Sequence, residues 1–157
     1  MAKRFYPLSL FLLAGSLFAA DPFVGTWKLS IAKSKLTGPP PQPKELTLII
    51  EAAGDQAAVT IKGSTVDGSP ISVKETFPRT GGPVQFLEGG PPPGISSTLA
   101  KTKADSSTVD FTDTMDGKVI QTHHGVVSAD GKSFHLIEKG TDPQGKNYES
   151  VEVWDKQ

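Results

Sequence analysis

The sequence predicts an all-β protein, an antiparallel up-and-down meander of about eight or nine strands that closes into a barrel. Three observations carry this. After Asp21 no stretch has a helical period, whereas nine segments alternate apolar with polar residues or are rich in Val, Ile, Thr and aromatic residues. Asp-Gly pairs punctuate the apolar runs at Asp67-Gly68, Asp116-Gly117 and Asp130-Gly131, and such pairs supply the positive φ angles of tight hairpin turns. Connections this short exclude parallel neighbours, which need crossovers of about a dozen residues or more. A meander of this length exposes two edges unless it closes, and closure removes them. The alternative is an open β-sandwich.

The chain begins with a targeting segment, residues 1–20. Lys3 and Arg4 precede the apolar run Pro7–Phe18, and small residues follow at Ala19 and Ala20. The run has the length of a signal-peptide core and falls short of the roughly 20 apolar residues of a membrane span. Cleavage is expected between Phe18 and Asp21. The protein is therefore expected to be exported, periplasmic or secreted, without a membrane anchor.

Residues 21–157 make a single β-barrel domain of a size that buries an adequate core unaided. The absence of Cys rules out disulfides, thiol catalysis and cysteine metal sites. Without Lys3 and Arg4 the segment carries 14 basic and 17 acidic residues, a net charge of −3, and no positive cluster that would hold nucleic acid.

Phe23, Gly25, Trp27, Leu29 and Ile31 take every second position of the first strand, which gives it one buried face. Leu46–Glu51, Ala57–Lys62, Ile71–Phe77, Ile95–Lys101, Thr108–Thr114, Lys118–Val127, Ser133–Lys139 and Tyr148–Trp154 follow as strands. Asp116, Asp130 and Gln144 stand 14 residues apart, each followed by Gly and Lys, a strand-plus-turn repeat too short for a solenoid. Two segments break the rhythm. Gly38–Pro43 reads as a rigid connection. Arg79–Gly94 is long enough to be a lid or a partner-docking loop, with Phe86 and Leu87 as its apolar residues.

The opening Phe23-Val24-Gly25-Thr26-Trp27-Lys28-Leu29 resembles the first strand of the lipocalin and fatty-acid-binding-protein group, the calycins, through its Gly-x-Trp motif, Gly25 and Trp27. The resemblance implies an up-and-down barrel around a ligand cavity, with Trp27 plugging one end and Gly25 letting another backbone pass close. The chain departs from the group in places. Ala32–Pro43 is basic and then proline-rich where fatty-acid-binding proteins carry a helical hairpin, Tyr148–Gln157 lacks their carboxylate-clamping Arg, and Lys156 is a poor match to the basic residue that lipocalins stack on the Trp. The layout as a whole also resembles uncharacterised secreted bacterial proteins.

Glu75 interrupts the otherwise apolar row Ile71, Val73 and Phe77. A carboxylate facing the interior is costly unless paired, and Arg79 or Lys101 is the expected partner. Such a group would fix a ligand's polar end; a bulge or a wet rim position is the structural alternative. Glu75, Phe77, Arg79, Phe86, Leu87 and Phe111 are the candidate ligand-binding residues. If Asp130-Gly131 is a two-residue turn, paired residue numbers sum to 261. His123 then faces Glu138, and His124 lies diagonal to His135, a pair short of the ligands of a zinc site. No nucleophile, metalloprotease or phosphate-loop motif is present, and Asp110, Asp113 and Asp116 lack calcium-loop spacing. No cofactor, metal or catalytic residue is assigned. Two functions remain: a non-enzymatic barrel holding a small apolar ligand, and an interaction protein with a filled barrel that docks a partner through its proline-rich loops. A cavity of roughly 300 Å³ or more favours the first.

Overall fold

The computed structural model describes residues 20–157, so nearly all of the expected targeting segment lies outside the described residues. All nine expected strands are present: β1 (Gly25–Leu29), β2 (Pro43–Ala53), β3 (Gln56–Thr65), β4 (Pro70–Pro78), β7 (Ile95–Ala100), β8 (Thr108–Met115), β9 (Lys118–Val127), β10 (Ser133–Thr141) and β11 (Asn147–Lys156). Two further short strands, β5 (Gly82–Pro83) and β6 (Gln85–Glu88), lie inside the segment read as a loop, which raises the count from eight or nine to eleven. Every neighbour in the sheet is antiparallel, in the order β5-β7-β8-β9-β10-β11-β1-β2-β3-β4-β6. The first and last members of that order are adjacent in the chain, so the sheet curls into a nearly closed barrel.

The turns set the register. Asp116 and Gly117 both have positive φ, 52° and 76°, and join Met115 to Lys118 as a two-residue hairpin. At Asp130-Gly131 the tip is wider, because Ser128 N–H donates to the Ser133 carbonyl outside it. Register is unaffected: His123 stands opposite Glu138, and Val126 opposite His135, as a sum of 261 requires. The first strand ends sooner than its alternation suggests. Ile31–Lys33 form a 3-10 turn, and Ile31 is exposed.

Trp27 is 0% exposed and anchors one end of the interior. Its indole N–H donates to the Phe23 carbonyl at 2.8 Å. Phe134 meets Trp27 edge-on with centroids 5.1 Å apart, and Trp154 stacks on Phe134 at 5.7 Å. Lys156 proves to be the basic residue on the Trp, its Nζ 4.9 Å from the Trp27 ring centroid. It escaped the sequence because it belongs to β11, which becomes a neighbour of β1 only when the sheet curls. Gly25 has a different duty from the one expected. Its φ is +141°, and a Cβ there would come within 2.7 Å of Lys156 Cε, so it clears space for that side chain rather than for a passing backbone.

The two proline-rich segments are both tied to the sheet. Before Gly38–Pro43, Lys35 pairs with Val151 of β11, and the Thr37 and Gly38 N–H groups donate to Ser150 Oγ at 2.9 and 3.0 Å. The segment Arg79–Gly94 closes the barrel wall. β5 pairs with β7 and β6 with β4, and Val84 between them donates its N–H to the Ser97 carbonyl at 2.9 Å. Its residues 82–88 are therefore strand paired into the sheet rather than a loop.

Candidate functional site

The barrel encloses a cavity of about 420 Å³, lined by residues of β2–β4 and β6–β11. Its two ends differ chemically because the inward rows of several strands change character along their length. On β8 the row runs Val109, Phe111, Asp113; on β9, Val127, Gly125, His123; on β10, Phe134, Leu136, Glu138; on β11, Trp154, Glu152. The Trp27 end is apolar apart from Asp21 and the two residues that pair with it beside Phe23, Lys101 and Arg79. The opposite end collects Glu75, Asp113, His123, Glu138 and Glu152, contributed by five strands.

At that acidic end Asp113 accepts hydrogen bonds from Ser97 Oγ and from His123 Nε2, the latter at 3.2 Å. Burial opposes ionisation of Asp113, but these hydrogen bonds hold its carboxyl below the usual range. Burial likewise disfavours the imidazolium of His123, yet the Asp113 hydrogen bond and the Glu138, Asp113 and Glu152 charges raise its pKa. Glu75 is pushed up to about 7 by burial and by the Asp113 charge, against the opposing pull of His123. Glu152 is also pushed to about 7 by burial, although it accepts a 2.9 Å hydrogen bond from Trp154 Nε1. Burial and neighbouring Glu138 raise the Tyr148 phenol, and Gly38 packs against both residues, so the strap before β2 crosses this end.

Five of the six residues expected to bind ligand, Glu75, Phe77, Arg79, Phe86 and Phe111, line the cavity. Leu87 does not. It neighbours Phe86 in an extended strand, so its side chain points outward, 67% exposed. Phe77 and Phe111 meet edge-on at 5.7 Å in the middle of the cavity wall. Glu75 is inward-facing and sits at a register shift against β6, which joins the two local readings of it. Its expected partners are engaged elsewhere. Arg79 and Lys101 both pair with Asp21, at 3.5 and 2.8 Å, beside Phe23. His124 and His135 face outward, and His124 pairs with Asp110 at 2.7 Å.

Sequence reasoning missed Asp113, His123, Glu138 and Glu152. Extending the period-2 rows of β8 to β11 by one inward step would have found each of them, and the hairpin register already set His123 against Glu138. The Ser97 hydroxyl donates to Asp113, not to His123, so the group does not form a Ser–His nucleophile pair. Among the described residues no three His, Asp or Glu side chains converge on a point where a metal ion would sit.

These features define a nearly closed antiparallel β-barrel: a Gly-x-Trp first strand, a basic side chain on that Trp, and a meander curled around a cavity. No family model matches the chain, and no curated protein matches it. Among solved structures, apocrustacyanin C2 is similar at a TM-score of 0.47 and 9% identity, over 87% of this chain and 62% of that one. Lobster apocrustacyanin A1 is similar at 0.46 and 9%, over 87% and 61%. This chain thus spans about three fifths of the length of the structures it matches.

Proposed function

We propose that this protein is an exported, non-enzymatic barrel that holds a small, largely apolar ligand in its interior. The observation that carries the reading is the cavity of about 420 Å³, walled mainly by Leu, Ile, Val and Phe side chains. A space of this size, walled mainly by apolar side chains with polar groups set at its ends, is the usual form of a small-molecule site. A self-filled barrel would have no such space, which weighs against the interaction-protein alternative. Export rests on the N-terminal sequence alone.

Isothermal titration with the neutral probe 2-(1-naphthyl)ethanol tests the binding reading. Saturable one-to-one binding is expected. It should be lost in Ile61→Trp, which fills the cavity from a partly buried wall position. Absence of binding, or binding that the filled cavity leaves untouched, overturns the reading. For export, the mature protein recovered outside the cytoplasm should begin after Phe18 and no later than Asp21, as read from its intact mass.

A further inference from the structure

The charges inside the cavity say what kind of head group an apolar ligand can carry, an inference that rests on the binding reading above. Glu75, Asp113, Glu138 and Glu152 reach the cavity from β4, β8, β10 and β11, so carboxylates face one another across the barrel. His123 is the only basic group among them, and its Nε2 is already bonded to Asp113. Arg79 and Lys101, the other cationic residues of the lining, are held by Asp21 beside Phe23. An anionic head placed at the Glu75 end would therefore enter a field of like charge in which His123 is the one cationic side chain among the described residues. Repulsion of that kind discriminates as effectively as attraction.

We propose that the ligand is an amphiphilic amine, an apolar body bearing a protonated primary or secondary amino group. The body lies against Phe77, Phe111 and Leu99. The ammonium sits among Glu75, Asp113, Glu138 and Glu152. An ammonium offers two or three N–H donors, and Glu75 makes no hydrogen bond among the described residues that would compete for them. Carboxylates held in an apolar barrel are costly, and a bound cation offsets that cost. Burial already drives Glu75 and Glu152 toward the protonated form, as expected of carboxylates that lack a counter-charge. Phe86, opposite Glu75 across β4 and β6, adds an aromatic ring to the lining there, and such rings favour a cation. A bare metal ion fits poorly, because the carboxylates do not converge.

The test uses one apolar body with three head groups. 2-(1-Naphthyl)ethylamine, 2-(1-naphthyl)ethanol and 1-naphthylacetic acid are titrated into the full mature protein at pH 7.5. The amine should bind at least about tenfold more tightly than the alcohol, the ratio expected of a charge-assisted hydrogen bond, and the acid more weakly than both. In Glu75→Gln and, independently, in Glu152→Gln, the ratio of amine to alcohol affinity should fall toward one. Because the ratio is measured within each variant, a general loss of affinity does not mimic the result. An amine no tighter than the alcohol, or an acid as tight, overturns the proposal and leaves the barrel a binder of neutral ligands. A ratio unchanged in both variants overturns the assignment of the head-group site. Failure of all three probes to bind overturns the binding reading and this proposal with it.

Discussion

Asp21 and Lys101 form an ion pair of 2.8 Å with both side chains nearly sealed from water, 5% and 4% exposed. The pair joins Asp21, four residues ahead of β1, to Lys101, just past the end of β7, and Arg79, just past the end of β4, reaches the same carboxylate. Since β4 and β7 are not bonded to each other, Asp21 ties the two lips of the barrel's seam at one end.

Asp21→Asn should therefore be costly. It strips Lys101 of its counter-charge while the ammonium stays buried. Breaking a buried pair on one side costs about 3–5 kcal/mol. Lys101→Met alone leaves Asp21 with Arg79 and should cost less. The double variant should recover part of the Asp21→Asn loss, because it removes the stranded charge. Urea melts of the three variants measure the coupling. Strict additivity would show that the pair does not act as a unit.

Trp27→Ala should lose about 3–5 kcal/mol, the usual cost of deleting a large buried aromatic. A loss below about 1 kcal/mol in urea melts would contradict its burial. Lys156→Ala should cost about 0.5–1 kcal/mol, because its ammonium is exposed to water while it rests on the ring.

Stability should fall as pH rises from about 5 to 8. Glu75 and Glu152 have folded-state pKa values raised to about 7, so the folded protein binds more protons than the unfolded chain between about 4.5 and 7. His123, raised as well, contributes stability that is present below its unfolded value and lost as pH climbs through its folded one. Asp113, lowered, acts in the opposite sense but only in acid, where its contribution is lost as pH falls. Glu75→Gln or Glu152→Gln should flatten the profile between pH 5 and 8. Each should also stabilise the protein at pH 8 by about 1–3 kcal/mol, less than the full shift implies because water reaches the cavity. Melting temperatures across that range decide it. A wild-type profile that rises with pH would contradict the assignment.

The strands were legible in the sequence because each shows period 2 between strong turn residues, and hairpin register followed from turn length alone. Relationships made by curling the sheet were less legible. Lys156 lies on Trp27, and Asp21 on Lys101, across 129 and 80 positions of chain respectively, and no local pattern announces either. β5 and β6 were missed because Gly82-Pro83 and a four-residue strand beside a Gly-Gly-Pro run carry no alternation to read. The acidic end of the cavity lay closer to view. Asp113 and Glu138 continue the inward rows begun by Val109 and Phe134, whereas His124 and His135 lie on the outer face of the same hairpin.

The seam itself offers the last prediction. Val84 is the single residue that steps from β5 on one lip to β6 on the other, and its N–H is bonded to the Ser97 carbonyl. If this segment is wall, its amide should be protected in the ligand-free protein. Local opening that costs about 1.4 kcal/mol slows exchange tenfold, and a seam held on both sides should cost at least that. A flexible loop would exchange at the free-chain rate whether or not ligand is present. Val84→Pro removes the donor, so it should speed exchange across Gln85–Glu88 and destabilise the barrel, while amides of β10 and β11 on the far side keep their relative protection. Hydrogen exchange followed by mass spectrometry, with fragments covering 79–94, reads all of this in one experiment. Rapid exchange at Val84 in the wild type would mean that the barrel is open along β4 and β7 in solution.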